Sequence, residues 1–198
     1  MITENINLIK RLSVYDFDGT LAKTFHPENG KVMWEKYYKR PYPYKGWWSK
    51  PESLDAEVFN IDLFDSTESL IRQDIADPNT YVIILTSRIE KLRPQLEKIL
   101  LMHGIHVDRI DMKKHEISKG DKVLGYIEQF PDLTRIDVYD DNYEREITSF
   151  KSIRNQIPNH IKFNIFHAHD GRFTLVERKY NIQNVIHEEI EKILSEVK

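Results

Sequence analysis

The chain has 198 residues and no cysteine. Disulfides and thiolate metal sites are therefore excluded, and nothing points to an oxidising compartment. There is no apolar run long enough to span a bilayer. The opening residues carry Glu4, Lys10 and Arg11, so neither a signal peptide nor a membrane anchor is expected, and the expected location is the cytoplasm. A surplus of one charge is missing too. Set against 32 acidic residues are 29 basic ones, for a formal net charge of −3. No global attraction to nucleic acid follows, so any such binding rests on a local patch. No internal repeat or low-complexity tract interrupts the chain. What is present is 40% hydrophobic and 31% charged residues, the composition of a folded protein. The length suits one domain over 1–198 with a modest insertion.

Apolar patterning alternates between strand and helix. Strands are expected over 11–16, 81–85, 107–112, 135–140 and 161–167. Helices are expected over 62–76, 91–103, 121–130 and 143–156. The first of these has Leu63, Phe64, Thr67, Leu70, Ile71 and Ile75 on one face and stops at Asp77-Pro78-Asn79. Residues 22–50 lack a clean period and contain Pro27, Gly30, Pro41, Pro43 and Gly46, which predicts loop and turn with a helix over 32–38. Asp170-Gly171 is a turn signal, so 173–176 should return antiparallel. A last amphipathic helix is expected over 182–197. This alternation implies a three-layer α/β sandwich around a mainly parallel sheet, with right-handed crossovers placing helices on both faces.

The informative stretch is Leu12-Ser13-Val14-Tyr15-Asp16-Phe17-Asp18-Gly19-Thr20. It reads as a buried strand ending in two acids and a glycine turn. Ligands of open α/β sheets sit at the carboxyl ends of strands. Two carboxylates there require a compensating cation, and Mg²⁺ with its oxygen ligands is the natural one. Ile136-Asp137-Val138-Tyr139-Asp140-Asp141-Asn142 repeats the pattern, although Asp140 to Asn142 also suits a plain capped turn. Between them lie Ile83-Ile84-Leu85-Thr86-Ser87-Arg88 and Ser118-Lys119-Gly120-Asp121-Lys122.

In that order, these segments resemble the four motifs of the haloacid dehalogenase (HAD) superfamily. The resemblance implies a Rossmann-like, mainly parallel five-stranded sheet of order 5-4-1-2-3. The short span from Thr86 to Lys119 leaves no room for a large cap. The resemblance also implies roles. Asp16 would be the nucleophile and Asp18 the acid/base. Thr86 would bond a phosphoryl oxygen with help from Ser87. Lys119 would neutralise charge, with Lys122 its competitor. Mg²⁺ would be held by Asp16, Asp18 (through its carbonyl), Asp140 and Asp141, and which of the last two binds directly is open. Arg88 is either a second phosphate contact or a surface cation. His167 and His169 invite a metal reading, but no cluster of further ligands accompanies them.

Residues 31–50 hold six basic residues, one acid and seven aromatics, including every tryptophan of the chain. Rings that stack on bases and cations that meet phosphates suit single-stranded nucleic acid; the same rings also suit packing of a flap onto the body. Trp34, Lys39, Trp47 and Trp48 are the candidate contacts, within a flap or small cap-like insertion over 22–60. Pro27, Trp34 and Gly46-Trp47-Trp48 resemble the Swiss Army Knife RNA repair-like branch of the superfamily, with a departure at Ala22, where that branch tends to have an aromatic. The implied function is a Mg²⁺-dependent phosphomonoester hydrolase acting on a nucleotide or polynucleotide terminal phosphate. Its partners would be that phosphorylated substrate or single-stranded end, with no membrane and no obligate protein partner. The alternatives are a small-metabolite phosphatase and a nucleic-acid-binding accessory domain with little turnover.

Overall fold

A computed structural model of the protein describes residues 8–114 and 117–179. The strands are β1 (Arg11–Tyr15), β2 (Thr80–Ile89), β3 (Arg109–Lys113), β4 (Arg135–Asp140), β5 (Lys162–His169) and β6 (Arg172–Lys179). The helices are α1 (Pro27–Tyr38), α2 (Asp65–Ala76), α3 (Arg93–Met102), α4 (Lys119–Gln129) and α5 (Thr148–Ser152). The sheet runs β3-β2-β1-β4-β5-β6. Its first five strands are parallel and follow the expected order, with β1 central between β2 and β4. The expectation of five strands is corrected to six. Asp170 and Gly171 adopt φ of 47° and 72°, which matches the two positive-φ positions of a twist-compatible hairpin turn. That turn brings β6 back antiparallel on β5 along its whole length.

Side chains alternate across β1, and both faces are covered. Leu12 and Val14 join Val123, Val138, Phe150 and Phe163 on one side. Tyr15 joins Ile71, Leu96 and Trp47 on the other. A strand buried on both faces reads as a continuous apolar run, which is why β1, β2 and β4 were legible as strands. No described helix is long and apolar enough to cross a membrane.

Several boundaries differ from the sequence reading by two residues or more, three of them at or near the sheet edge. Helix α1 starts at Pro27, where a first-turn proline costs no hydrogen bond, rather than at 32. The region after β4 opens with a π-helical turn, Tyr143–Ile147, and its α-helix ends at Ser152. Strand β2 continues to Ile89, well past Leu85. The helix expected over 182–197 lies outside the described residues.

The segment after β1 leaves and rejoins the body at one place, because Ala22 bridges both Asp18 and Leu63. Within it, Trp34 and Trp47 are buried. The Trp47 indole donates to the Phe25 carbonyl at 2.7 Å. A Cβ on Gly30 would lie 2.2 Å from the Trp47 ring, so helix α1 reaches this close only with glycine at that position.

Candidate active site

The four sequence motifs meet at the carboxyl edge of the sheet. Asp16 directly follows β1, and its N–H donates to the Tyr139 carbonyl of β4 at 2.9 Å. Asp140 is the last residue of β4. Lys119 opens α4, whose N-cap Ser118 accepts from the Asp121 N–H at 3.0 Å. A Cβ on Gly120 would come within 2.6 Å of the Ser149 carbonyl; its absence lets α4 sit close to α5 and directs Lys119 inward. The Lys119 ammonium then donates to Asp16 Oδ1 and to Asp140 Oδ2, each at 2.6 Å. Lys122, the competitor, lies elsewhere, on Asp111 at 2.7 Å and the Met112 carbonyl at 2.6 Å.

Oxygens of Asp16, Asp140 and Asp141 lie within 4.8 Å of one another. Gly19, at φ 72°, is held against Asp141: a Cβ there would lie 2.5 Å from Asp141 Oδ2. This crowding has an electrostatic signature. Burial, then Asp140, pushes the Asp141 carboxyl up to about 6, with Lys119 opposing. Burial likewise raises Asp16, against the pull of Lys119 and with the push of Asp140, Asp18 and Asp141. Burial alone would lower Lys119, but Asp16 and Asp140 outweigh it and hold the ammonium protonated. One ammonium faces three carboxylates, and oxygen-only donors at this spacing fit a hard divalent cation such as Mg²⁺.

Asp140 also does the work of the capped turn that its sequence suggested. Its Oδ1 accepts the Asn142 N–H at 2.9 Å, while Asn142 Oδ1 caps the next turn by accepting the Arg145 N–H at 3.0 Å. Both Asp140 oxygens are therefore engaged. His167 Nε2 lies 3.0 Å from the Asp141 carbonyl, and His169 is exposed at the strand end; neither belongs to the acidic group.

Arg88 is buried, with only 2% of its surface exposed, so it is not a surface cation. Its guanidinium forks onto Asp18, Nε to Oδ2 at 2.9 Å and Nη2 to Oδ1 at 2.7 Å. Nη1 donates to the Trp48 carbonyl at 2.7 Å and to Ser53 Oγ. The guanidinium also stands 4.9 Å from the Trp48 ring centroid. Asp18 is thereby tied to the segment that carries Trp48 and Ser53.

These groups line a hollow of about 520 Å³ with Gly19, Thr24, His26, Ser49, Lys113, Asn142, Arg145 and Glu146. Of the sequence candidates, Asp16, Asp18, Ser87, Arg88, Trp48, Lys119, Asp140 and Asp141 line it. Thr86, just before Ser87 and Arg88 on β2, is buried and accepts the Arg88 N–H on its hydroxyl at 3.1 Å. Trp34 and Trp47 pack into the core, and Lys39 lies exposed at the end of α1. The sequence reading missed Lys113, Arg145 and Glu146. Lys113 ends β3 and so occupies the edge where ligands gather. Arg145 and Glu146 follow β4 by one turn, and both bond Ser87 Oγ at 3.0 Å.

No protein-family model and no curated protein matches the sequence. Solved structures do. The HAD domain of the effector protein Lem4 from Legionella pneumophila superposes with a TM-score of 0.52 at 16% identity, over 83% of this chain and 89% of that one. A HAD-superfamily hydrolase of subfamily IA from Geobacter sulfurreducens gives 0.48 at 14%, over 82% and 89%. A chain of a Pnkp1/Rnl/Hen1 complex gives 0.49 at 16%, over 81% of this chain; the present chain spans only 46% of that one. With the parallel sheet in the order 5-4-1-2-3 and the Lem4 domain superposing on it, the chain has the fold of the haloacid dehalogenase superfamily.

Proposed function

We propose that the protein is a Mg²⁺-dependent phosphomonoester hydrolase that works through a phosphorylated Asp16, on a nucleotide or the terminal phosphate of a polynucleotide. The whole chain acts as one hydrolase domain, with 22–60 its flap, and no protein partner is required. The observation that carries this reading is the convergence of Asp16, Lys119, Asp140 and Asp141 in one hollow from three separate segments.

Bound Mg²⁺ would spread the charge of the phosphoryl oxygens and let a carboxylate approach them. Asp16, Asp140 and Asp141 would hold it. Of the acidic pair, Asp141 would be the direct ligand, because both oxygens of Asp140 are already engaged by Lys119 and Asn142. Asp16 attacks phosphorus through its free oxygen as the ester oxygen leaves, giving an acyl phosphate and an alcohol. Asp18, entering as the neutral carboxylic acid with one of its two contacts with Arg88 given up, passes its proton to that leaving oxygen and becomes a carboxylate. It then takes a proton from the water that attacks the acyl phosphate, and inorganic phosphate departs with Asp16 restored. Lys119 keeps the nucleophile ionised and offsets charge on the transferring group. Arg88 orients Asp18 and joins it to the flap, where Trp48 stands exposed for a base or ring to stack against.

The test is phosphate release, with and without Mg²⁺, from p-nitrophenyl phosphate, nucleotides, sugar phosphates and oligonucleotides bearing a 3′- or 5′-phosphate. Mg²⁺-dependent release, greatest from the nucleotides or oligonucleotides, is expected. Release confined to sugar phosphates would hand the site to a small metabolite. Oligonucleotide binding without release from any ester would make the protein an accessory domain.

A further inference from the structure

The reaction steps leave one wall of the sheet-edge hollow unused. Arg88 turns to the side of Trp48 and Ser53, where it holds Asp18. Ser87, the residue before it on β2, turns to the other side, where Arg145 and Glu146 meet it. Lys113 belongs to that second side. Asp111, two residues earlier on β3, faces α4 through Lys122 and Tyr126, and alternate residues of a strand share a face. Lys113 therefore lines the hollow from the end of β3 and Arg145 from the turn after β4. Register sets this wall apart from the transfer site. Tyr15 pairs with Ile84, so Asp16, the next residue, falls level with Leu85. Ser87 lies two residues, roughly 7 Å, further along β2.

Arg145 is fixed on one edge and open on the other. Its Nε donates to Glu146 Oε1 at 2.6 Å and its Nη2 to Ser87 Oγ at 3.0 Å. Glu146 is a buried carboxylate, 6% exposed, and Ser87 donates to the same oxygen at 3.0 Å. A buried acid is costly without a partner held against it, so Glu146 and Ser87 fix the direction of Arg145. Nη1 bonds no described residue, and the side chain is 64% exposed. Lys113 is also exposed, and its ammonium bonds no described residue. The other cations of the hollow are committed, Lys119 to Asp16 and Asp140, and Arg88 to Asp18. A second hollow of about 440 Å³, beyond the turn Pro51–Leu54, has acids in excess, with Glu52, Asp55 and Glu57 against Arg40 and Lys98, so an anion is not drawn there. An anchored guanidinium edge together with a mobile ammonium suits a phosphate group. We propose that Lys113 and Arg145 hold a second phosphate of the substrate, beside the one that Asp16 receives. Its source is either the phosphodiester next to the end of a polynucleotide or a second terminal phosphate on one nucleotide. That both phosphates belong to one molecule rests on the function proposed above; that this pair binds phosphate does not.

The experiment is titration calorimetry on the full chain carrying Asp16→Asn, with Mg²⁺ present, so that no turnover intervenes. The probes are uridine 3′-phosphate, uridine 5′-phosphate, uridine 3′,5′-bisphosphate and a uridine dinucleotide with a terminal phosphate. A probe with two phosphates should bind about tenfold more tightly than the monophosphates, the worth of one charge-assisted hydrogen bond. Lys113→Gln and Arg145→Gln, each added to that chain, should bring the ratio close to one. The ratio is the readout, because a general loss of charge or of fold weakens every probe alike. A gain confined to the dinucleotide assigns the second phosphate to a neighbouring diester, and a gain confined to the bisphosphate assigns it to a second terminal phosphate. Equal affinity for all four probes, or an advantage that survives both substitutions, overturns the inference. Hydrolysis of p-nitrophenyl phosphate, which has no second phosphate, is measured in parallel with the unaltered chain. Its absence would sink the phosphatase reading while leaving the binding comparison legible.

Discussion

The two hollows that meet at the 51–54 turn differ in how their charged groups are held. At the sheet edge, charge is crowded and paired: Lys119 spans Asp16 and Asp140, and Arg88 forks onto Asp18. The hollow of about 440 Å³ beyond that turn is lined by Glu52, Asp55, Glu57, Arg40 and Lys98, with Arg40 over the Trp34 ring and Asp55 accepting from the Tyr38 hydroxyl. Pre-paired groups are what group transfer needs, since donors and acceptors must stand in place before charge moves.

The sharpest way to break this contrast is to remove the ammonium. Lys119→Met should lower turnover by about 10²–10³-fold, the size of losing one preorganised charge contact, measured on p-nitrophenyl phosphate with saturating Mg²⁺. Lys122→Met, whose partners Asp111 and Met112 lie off the hollow, should change it little. Equal losses in both would mean that Lys119 acts only through folding.

Arg88→Lys probes the link between the regions. A lysine keeps the charge but cannot fork onto Asp18 while also reaching Trp48 and Ser53. A fall of about tenfold or more in kcat is expected, with the flap loosened in hydrogen exchange over 48–54. An unchanged kcat would remove Arg88 from the orientation of Asp18.

Gly30→Ala strikes the flap alone. The added methyl would meet the Trp47 ring at 2.2 Å, an overpacking that costs about 1–3 kcal/mol, readable in urea denaturation. Native stability would show that α1 can shift away from Trp47.

This packing explains what could and could not be read from the chain. The motif residues were legible because a carboxylate pair after a buried strand has few other uses, and β1 and β4 are buried on both faces. The flap was not, because interleaved rings and cations look alike whether buried or exposed. Trp34 and Trp47 fell to the core and Trp48 to the hollow, a division made by tertiary contacts such as Gly30 against Trp47 rather than by spacing. Thr86 illustrates the same limit: β2 runs on past it to Ile89, so it lies within the strand and not at its end. Arg145 and Glu146 were hidden because a π-helical turn, not the expected helix, sets their direction.

The smallest expected effect is a pH dependence. The Asp141 carboxyl stands at about 6 in the folded protein, against an ordinary value of 3.8. The folded state therefore binds more protons than the unfolded state between those values, and stability falls as pH rises through that window. Metal-free protein should lose thermal stability from about pH 4 to pH 6, and Asp141→Asn should flatten the slope. Added Mg²⁺ should restore stability above pH 6. A slope identical in Asp141→Asn would place its origin elsewhere.

The measurement that tests the central reading most directly is to quench the reaction in acid after mixing with a phosphorylated oligonucleotide and Mg²⁺, then locate phosphate by tandem mass spectrometry. The account predicts an acyl phosphate on Asp16, formed only with Mg²⁺, released by hydroxylamine and absent from Asp16→Asn along with turnover. Phosphate on another residue, or rapid turnover by Asp16→Asn, would contradict it.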